Sequence, residues 1–187
     1  MIRHATDSDF EHITAIRKPY LLDTERVIES SYRFQMQESG FIGSLTKVEF
    51  REDLHHLFLV DEDETGITGY LRVDQDREYK DNDKKIWFSD DAKESYMSGS
   101  HAEIGMIGTR EDKKRQGIAG TLLEEATLLL RSKNIVYLFS ILVVSPLTNV
   151  PSLMFHEKHN FERIAISIPH YHFDLHNYQS FHYRKSL

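Results

Sequence analysis

The residues with the clearest chemical potential form the run Lys-Lys-Arg-Gln-Gly-Ile-Ala-Gly at 113–120, between an apolar stretch at 101–109 and a segment of helical periodicity. Gly117, Ala119 and Gly120 stand where that helix begins. Their minimal side chains let backbone N–H groups approach a ligand, and the first turn of a helix carries four N–H groups without intrahelical partners. Those groups and the helix dipole favour an anion such as a phosphate. Lys113, Lys114 and Arg115 add positive charge in a chain whose formal net charge is −7. Small residues at a helix start also serve plain packing, so the loop by itself leaves both readings open. No Gly-Lys-Ser/Thr follows, which excludes a P-loop, and the third glycine of a dinucleotide fingerprint is missing.

Periodicity defines the elements that must hold this loop. Residues 2–5 can form a short strand, and Thr6-Asp-Ser-Asp9 makes a capping-box start for a helix that turns Phe10, Ile13 and Ile16 inward. Pro19 ends or bends it. A second helix is predicted from Asp23 or Thr24 through Met36, with Val27, Ile28, Ser31 and Tyr32 on one side and Gly40 as its stop. Thr46 and Glu49 form another capping box, ahead of a strand at 55–60. The acidic turn 61–66 leads to 67–73, giving an antiparallel hairpin. Its spacing mimics the first half of a calcium loop, but Arg72 stands where a bidentate glutamate is needed, which leaves a solvated hairpin tip.

Residues 74–99 are mostly charged and polar, and read as a long, partly mobile excursion over the substrate side or as a plain surface insertion. After the basic loop, Ile118, Leu122, Ala126 and Leu129 recur at helical spacing, widened by Leu123 and Leu130. Residues 135–144 lack polar alternation apart from Ser140, as expected of a central strand covered on both faces. Strand, helix and strand make a crossover unit. Pro146 breaks the strand, a helix follows from Asn149 through Lys158, and 161–168 and the stretch from Tyr171 onward close the sheet as two strands.

Composition excludes several classes. At 187 residues the chain suits one domain, 1–187, with a sizeable core. Its acidic balance argues against a nucleic-acid partner and leans toward cationic ones such as amines. With no cysteine there is no disulfide framework, thiol nucleophile or Cys-zinc site. No apolar run approaches the roughly 18 residues of a membrane span and the start lacks a signal core, so no membrane partner and a cytoplasmic location are expected.

Lys114, Gly117 and Ala119 resemble the acyl-CoA-binding motif of the GNAT N-acetyltransferase superfamily: Arg or Gln, two residues, Gly, any residue, then Gly or Ala. Lysine departs from Arg or Gln but keeps a donor for the pyrophosphate. Asn149, Ser152, Phe155, His156, Asn160 and Phe161 resemble the second signature, Asn-x-x-Ala-x-x-Leu-Tyr-x-x-x-Gly-Phe, at unchanged spacing. Here His156 replaces the usual tyrosine, Asn160 the glycine and Ser152 the alanine. The resemblance is close over residues 101–161 and looser over 2–16. It implies an α/β (α+β) fold, with a mixed, mostly antiparallel central sheet splayed between its two middle strands and flanked by helices. Acetyl-CoA is the implied cosubstrate, held by Thr109, Lys114, Arg115, Gln116, Gly117, Ile118, Ala119, Gly120, Asn149 and Ser152. Asn149 would hydrogen-bond the pantetheine arm, while the Thr109 backbone pairs with its amides like an added strand. The helical pair before Gly40 would shape the acceptor pocket.

Acetyl transfer to an amine needs a neutral amine, a polarised thioester carbonyl and a proton for the departing thiolate. A lysine-like amine with reference pKa near 10.4 is charged at neutral pH, so freeing its lone pair costs roughly 4.6 kcal/mol and a base is useful. The Ala-Glu-Ile setting of Glu103 and its distance to Gly117 resemble the histone-acetylating branch, where the matching glutamate is that base; a strand-end salt bridge is the plainer alternative. His101, two residues earlier, falls on the same strand face and could relay a proton. His156 is a candidate acid toward the thiolate, since imidazole donates when protonated or through its neutral N–H.

Metal is not expected. The histidines of His156-Glu-Lys-His159 stand three apart where a zincin motif needs four, and His170 and His172 make at most a weak surface site. The sequence thus supports an N-acetyltransferase acting by direct attack in a ternary complex, its acceptor a small-molecule or protein amino group. A noncatalytic acyl-CoA-binding sensor is the alternative, a zinc hydrolase a more remote one, and a homodimer stays open.

Overall fold

The computed structural model describes residues 1–75, 84–98, 100–172 and 174–187. Strand β1 (Ile2–His4) leads through the expected capping box, in which Asp9 accepts from the Thr6 backbone N–H at 2.8 Å, into α1 (Phe10–Arg17). The chain then tightens into a 3-10 turn containing Pro19, which ends the α-helix as expected. The second predicted helix is interrupted. Residues Thr24–Ile28 form a 3-10 turn, Glu29 is extended at ψ 117°, and α2 runs from Ser30 to Ser39 with Gly40 at φ +84° as its stop. The Asp23 side chain caps the first turn, and the Asp23 N–H donates to the Tyr32 hydroxyl at 2.7 Å, so the break lets the two turns fold against each other. Val27 and Tyr32 are inward as expected, but Ile28 is 87% exposed and Ser31 is exposed.

Helix α3 (Lys47–Asp53) opens on the Thr46–Glu49 capping box. The hairpin β2 (Leu57–Asp63) and β3 (Gly66–Asp74) follows. Of the 74–99 stretch, residues 76–83 and Gly99 lie outside the described residues. The remainder holds β4 (Lys85–Trp87) and α4 (Asp90–Met97), with Trp87 and Tyr96 packed in a cluster with Phe139 and Ile164. Then come β5 (His101–Thr109), α5 (Ile118–Ser132), β6 (Tyr137–Ser145), α6 (Val150–Lys158) and β7 (Glu162–Ser167). The two expected closing strands are three, because the last folds into a hairpin of β8 (His170–His172) and β9 (Leu175–Ser186).

These strands form one sheet in the order β1-β2-β3-β5-β6-β9-β7-β4, with β8 paired to β9. All neighbours are antiparallel except β5 and β6. On β2, alternation assigns the two faces. Leu57 and Leu59 join Leu122, Leu123, Ala126 and Leu130 of α5, while Phe58 and Val60 join Ile13 and Ile16 of α1 and Phe50 of α3. Burying each leucine of the α5 stripe contributes on the order of 2 kcal/mol, so α5 is held firmly against β2, β3 and β5 and its first turn is a fixed platform.

The sheet opens at its centre. Strands β5 and β6 pair only from His101–Tyr137 to Ile104–Ser140 and then part. The register between β3 and β5 shifts at the same level, leaving Gly105 as the extra residue of a bulge opposite Arg72 and Val73. A bulge increases local twist and bends its strand, which turns the rest of β5 away from β6. Glycine is required there because a Cβ would overlap the Arg72 guanidinium. That guanidinium is ion-paired with Asp53 and, at 3.0 Å, with Asp74.

Candidate active site

Two cavities of about 220 Å³ each lie along this opening and share Phe41, Ile42, Ile107, Asn149 and Ser152 on their walls. The outer one reaches Thr109, Lys114 and Ala119 at the start of α5. The inner one descends between the parted strands to Gly105, Ser140, His156 and Arg17. Beyond Ile104 the β5 edge that faces β6 has no strand partner among the described residues, so its backbone is available to an extended ligand. Ile141 of β6, expected to be covered on both faces, is 38% exposed for the same reason.

The loop before α5 is pinned to the β2–β3 turn. Lys113 pairs with Asp63 at 2.6 Å, and Arg110 donates to the Thr65 hydroxyl at 2.7 Å. Hydrogen bonds from Lys113 and Thr65 hold the Asp63 carboxyl well below the usual carboxylate range. The acidic turn is therefore a clamp on the loop, and the charge of Lys113 is already balanced. The Lys114 ammonium sits 4.3 Å from the Tyr20 ring centroid, across the outer cavity.

The sequence-named residues divide into three groups. Thr109, Lys114, Ala119, Asn149 and Ser152 meet on the outer cavity wall. Gly117, at φ +88°, has so much open space around it that an added Cβ would meet nothing within 4 Å, and it is flanked at the helix mouth by exposed Arg115 and Gln116. Ile118 and Gly120 face the interior: Ile118 packs on Gly69, and a Cβ on Gly120 would approach the His159 ring to 2.9 Å. Thus Gly120 serves close packing, whereas Gly117 stands in open space at the helix mouth. These features fit the diphosphate end of a coenzyme A thioester: bare amides, a positive-φ glycine, and a lysine on the cavity wall.

Asn149 has a structural task. Its Oδ1 accepts from Ser152 N–H at 3.2 Å as the α6 cap, and its Nδ2 donates to the Phe41 carbonyl at 3.0 Å. One N–H and one lone pair remain for a ligand. Asn160, which replaces glycine in the motif, stands at φ +58° where α6 ends. There Phe161 N–H donates to His156 O and Asn160 N–H to Glu157 O, so asparagine serves the left-handed cap as glycine would.

His156 is 2% exposed and packed among Phe155, Phe161 and Tyr183. Its Nδ1 lies 2.6 Å from the Ser152 carbonyl, which can only accept, so Nδ1 carries the proton. Nε2 is then a bare acceptor, buried and without a hydrogen-bond partner. Burial lowers the pKa of His156 below its ordinary 6.5, against the raising effect of the Ser152 contact. In this arrangement the neutral ring offers Nε2 as an acceptor, and its one N–H is turned to the Ser152 carbonyl. Glu103 is 3% exposed on β5, one residue before the last β5–β6 pair, and is on neither cavity wall. His101 is likewise buried, with Nδ1 against Ser98 O.

Sequence reasoning missed Tyr20, Phe41 and Arg17. Arg17 had a signal, since it stands four residues after Ile13 and so falls on the inward stripe of α1. Phe41 and Tyr20 had none, because irregular segments place them. Among the described residues no group of three or more His, Cys, Asp or Glu is arranged to hold a metal ion, and no helix is long and apolar enough to cross a membrane.

A sheet parted between parallel neighbours, with an open strand edge leading from a helix start to a buried imidazole, is an arrangement that fits an extended ligand with an anionic end. The chain belongs to the acetyltransferase (GNAT) family, whose description it matches over residues 15–161. No curated protein matches it. Its fold is similar to that of Naa20 from Chaetomium thermophilum, solved with a bisubstrate analogue (TM-score 0.68, 15% identity, covering 100% of this chain and 86% of that one). It is also similar to the ribosomal-protein-S18-alanine N-acetyltransferase of Escherichia coli (TM-score 0.63, 12% identity, 100% and 92% covered). A third similar fold is the PaiA N-acetyltransferase of Thermoplasma acidophilum in complex with coenzyme A (TM-score 0.59, 14% identity, 100% and 98% covered). The chain is an acyl-CoA-dependent N-acetyltransferase of this family.

Proposed function

We propose that residues 1–187 act as one acetyltransferase domain that passes an acetyl group directly from acetyl-CoA to a primary amine, both held at once in the central opening. The observation that carries this reading is the pair of adjoining cavities that share five wall residues and together reach from Lys114 and Ala119 to His156. The amides at the mouth of α5, with Lys114, hold the diphosphate, and the unpaired edge of β5 up to Thr109 aligns the pantetheine arm. The thioester supplies the acetyl carbon; the amine nitrogen bonds to it as the carbon–sulfur bond breaks.

His156 Nε2 takes the proton that the nitrogen loses and returns it to the departing sulfur, so one imidazole serves both ends of the transfer. The unpartnered lone pair of Nε2 and the place of His156 on the inner wall support this role. The sequence resemblance supports Glu103 as base instead. Single substitutions separate them. With His156 as the shuttle, His156→Gln lowers kcat by about 100-fold or more and leaves coenzyme A affinity within a few-fold, whereas Glu103→Gln has the smaller effect on kcat. A larger kcat loss for Glu103→Gln would return the base role to Glu103. Coenzyme A binding with no release of free thiol across a wide amine panel would favour a noncatalytic acyl-CoA sensor.

The acceptor class is a primary amine. The ribosomal-protein-alanine enzyme among the similar folds acts on a protein amino group, and small amines suit a cavity of this size equally.

A further inference from the structure

We propose that Arg17 binds a carboxylate of the acceptor, so that the amine acetylated in this cleft belongs to a small amino-carboxylate molecule; the inference rests on the acetyl-transfer reading above. Arg17 is 5% exposed and lines the inner cavity together with His156. Its guanidinium offers five N–H donors. Nη2 donates to the Gly43 carbonyl at 2.8 Å. Nη1 meets the Met106 thioether at 2.9 Å and the Tyr70 hydroxyl at 3.4 Å, and the guanidinium lies 6.0 Å from the Tyr70 ring centroid; none of these is an anion. Nε is buried without a partner.

Among the described residues no carboxylate lies within salt-bridge distance of Arg17, which sets it apart from the other buried arginine. Arg184 pairs with Asp91 at 2.8 Å and Glu162 at 2.7 Å. Glu49 feels the charge of Arg17, but its carboxylate accepts from the Thr46 N–H at 2.7 Å and hydroxyl at 2.8 Å as a helix cap.

The walls give the same sign. In a chain with 30 acidic and 23 basic residues, neither cavity has an Asp or Glu on its wall, and the two cations there are Lys114 and Arg17. Lys114 stands at the α5 end, leaving Arg17 alone beside the inner cavity. A buried guanidinium without an anion is costly and is relieved by a bidentate carboxylate. A ligand amine finds no carboxylate on these walls; the polar ring beside it is His156, whose Nε2 is an acceptor without a hydrogen-bond partner. An acceptor that presents its amine to His156 and its carboxylate to Arg17 supplies the donor that Nε2 lacks and the anion that the guanidinium lacks. The volume, about 220 Å³, suits a small molecule.

The test compares glycine, β-alanine and glutamate with their carboxamides on the wild-type protein, with saturating acetyl-CoA, following free thiol. The kcat/KM values are normalised to the fraction of neutral amine. Carboxylates should be preferred by about 10- to 100-fold, the worth of a charge-assisted contact. Arg17→Met should collapse that preference and Arg17→Lys restore part of it, with coenzyme A affinity and thermal midpoint showing that each variant is folded. Calorimetry of the N-acetyl products against their amides, on wild type with coenzyme A present, gives a readout that needs neither turnover nor a variant, and the acids should bind tighter. Equal use or binding of acid and amide, or an unchanged preference in folded Arg17→Met, overturns the inference while leaving acetyl transfer standing. Stronger use of peptides with an acidic second residue than of free amino acids overturns the small-molecule assignment. Coenzyme A binding without acetylation of any amine overturns the transfer reading itself, and the calorimetric comparison still decides the role of Arg17.

Discussion

Burial and one carbonyl fix the state of His156. In the unfolded chain it takes up a proton near its ordinary 6.5, whereas the folded site binds that proton only at lower pH. Between those values the unfolded state holds more protons, so the stability contribution is present above 6.5 and is lost as pH falls through and below it. His159, lowered by burial and by Lys158 and Lys185, acts in the same direction. Urea midpoints measured from about pH 7.5 down to 5 should therefore fall for wild type and fall less for His156→Gln; equal slopes would show that His156 is not the group responsible. Gly105 carries a different constraint. A methyl there must shift the Arg72 guanidinium, and if the shift takes it off Asp53 and Asp74, the loss of that pairing costs up to about 3–5 kcal/mol. Gly105→Ala should lower the urea midpoint correspondingly, and a loss under about 1 kcal/mol would mean that Arg72 has other room. Motif spacing singled out position 156 in the sequence, and the structure puts it on the inner cavity wall. Its tautomer was not, since that depends on the direction of a backbone carbonyl.

Local signals served best where one element makes its own ends. The capping boxes at Thr6 and Thr46 and the start of α6 at Asn149 depend on side chains within three residues of the backbone they satisfy, and the stop at Gly40 on that residue's own positive φ. The break at Glu29 was illegible because the sequence continues a helical pattern there, and the turn is decided by Tyr32 packing back on Asp23. The splay of β5 from β6 depends on Gly105 meeting Arg72 from another strand, a pairing no local pattern reveals. The reach of Asn149 to Phe41 is likewise tertiary, and it joins the α6 start to the segment after α2. Asn149→Ala should thus lose both a helix cap and this tie, costing about 2 kcal/mol in total, and should weaken coenzyme A binding through the displaced wall. Asn149→Asp keeps the cap but not the donor to Phe41. If Asn149→Asp were as stable as wild type, the tie to Phe41 would contribute nothing.

At the scale of the whole molecule, the opening divides the sheet into β1-β2-β3-β5 and β6-β9-β7-β4, joined by four residue pairs between β5 and β6. Each half is continuous in itself, so the facing strand edges at 105–109 and 141–145 are where backbone groups lack sheet partners across the opening. A ligand lying there adds contacts to both halves at once and binds only the folded chain. At one hundred times its dissociation constant, coenzyme A should stabilise the protein by about 2.7 kcal/mol. For a chain of this length that corresponds to roughly 5–10 °C in thermal midpoint. The location of the effect is the sharper test. Amide exchange should slow most at 105–109 and at the first turn of α5, while the centres of β2 and β3, already paired on both sides, change only with global stability. A rise in midpoint with unchanged exchange along that edge would mean that the ligand binds elsewhere, and that the parted strands are not the seat of the transfer.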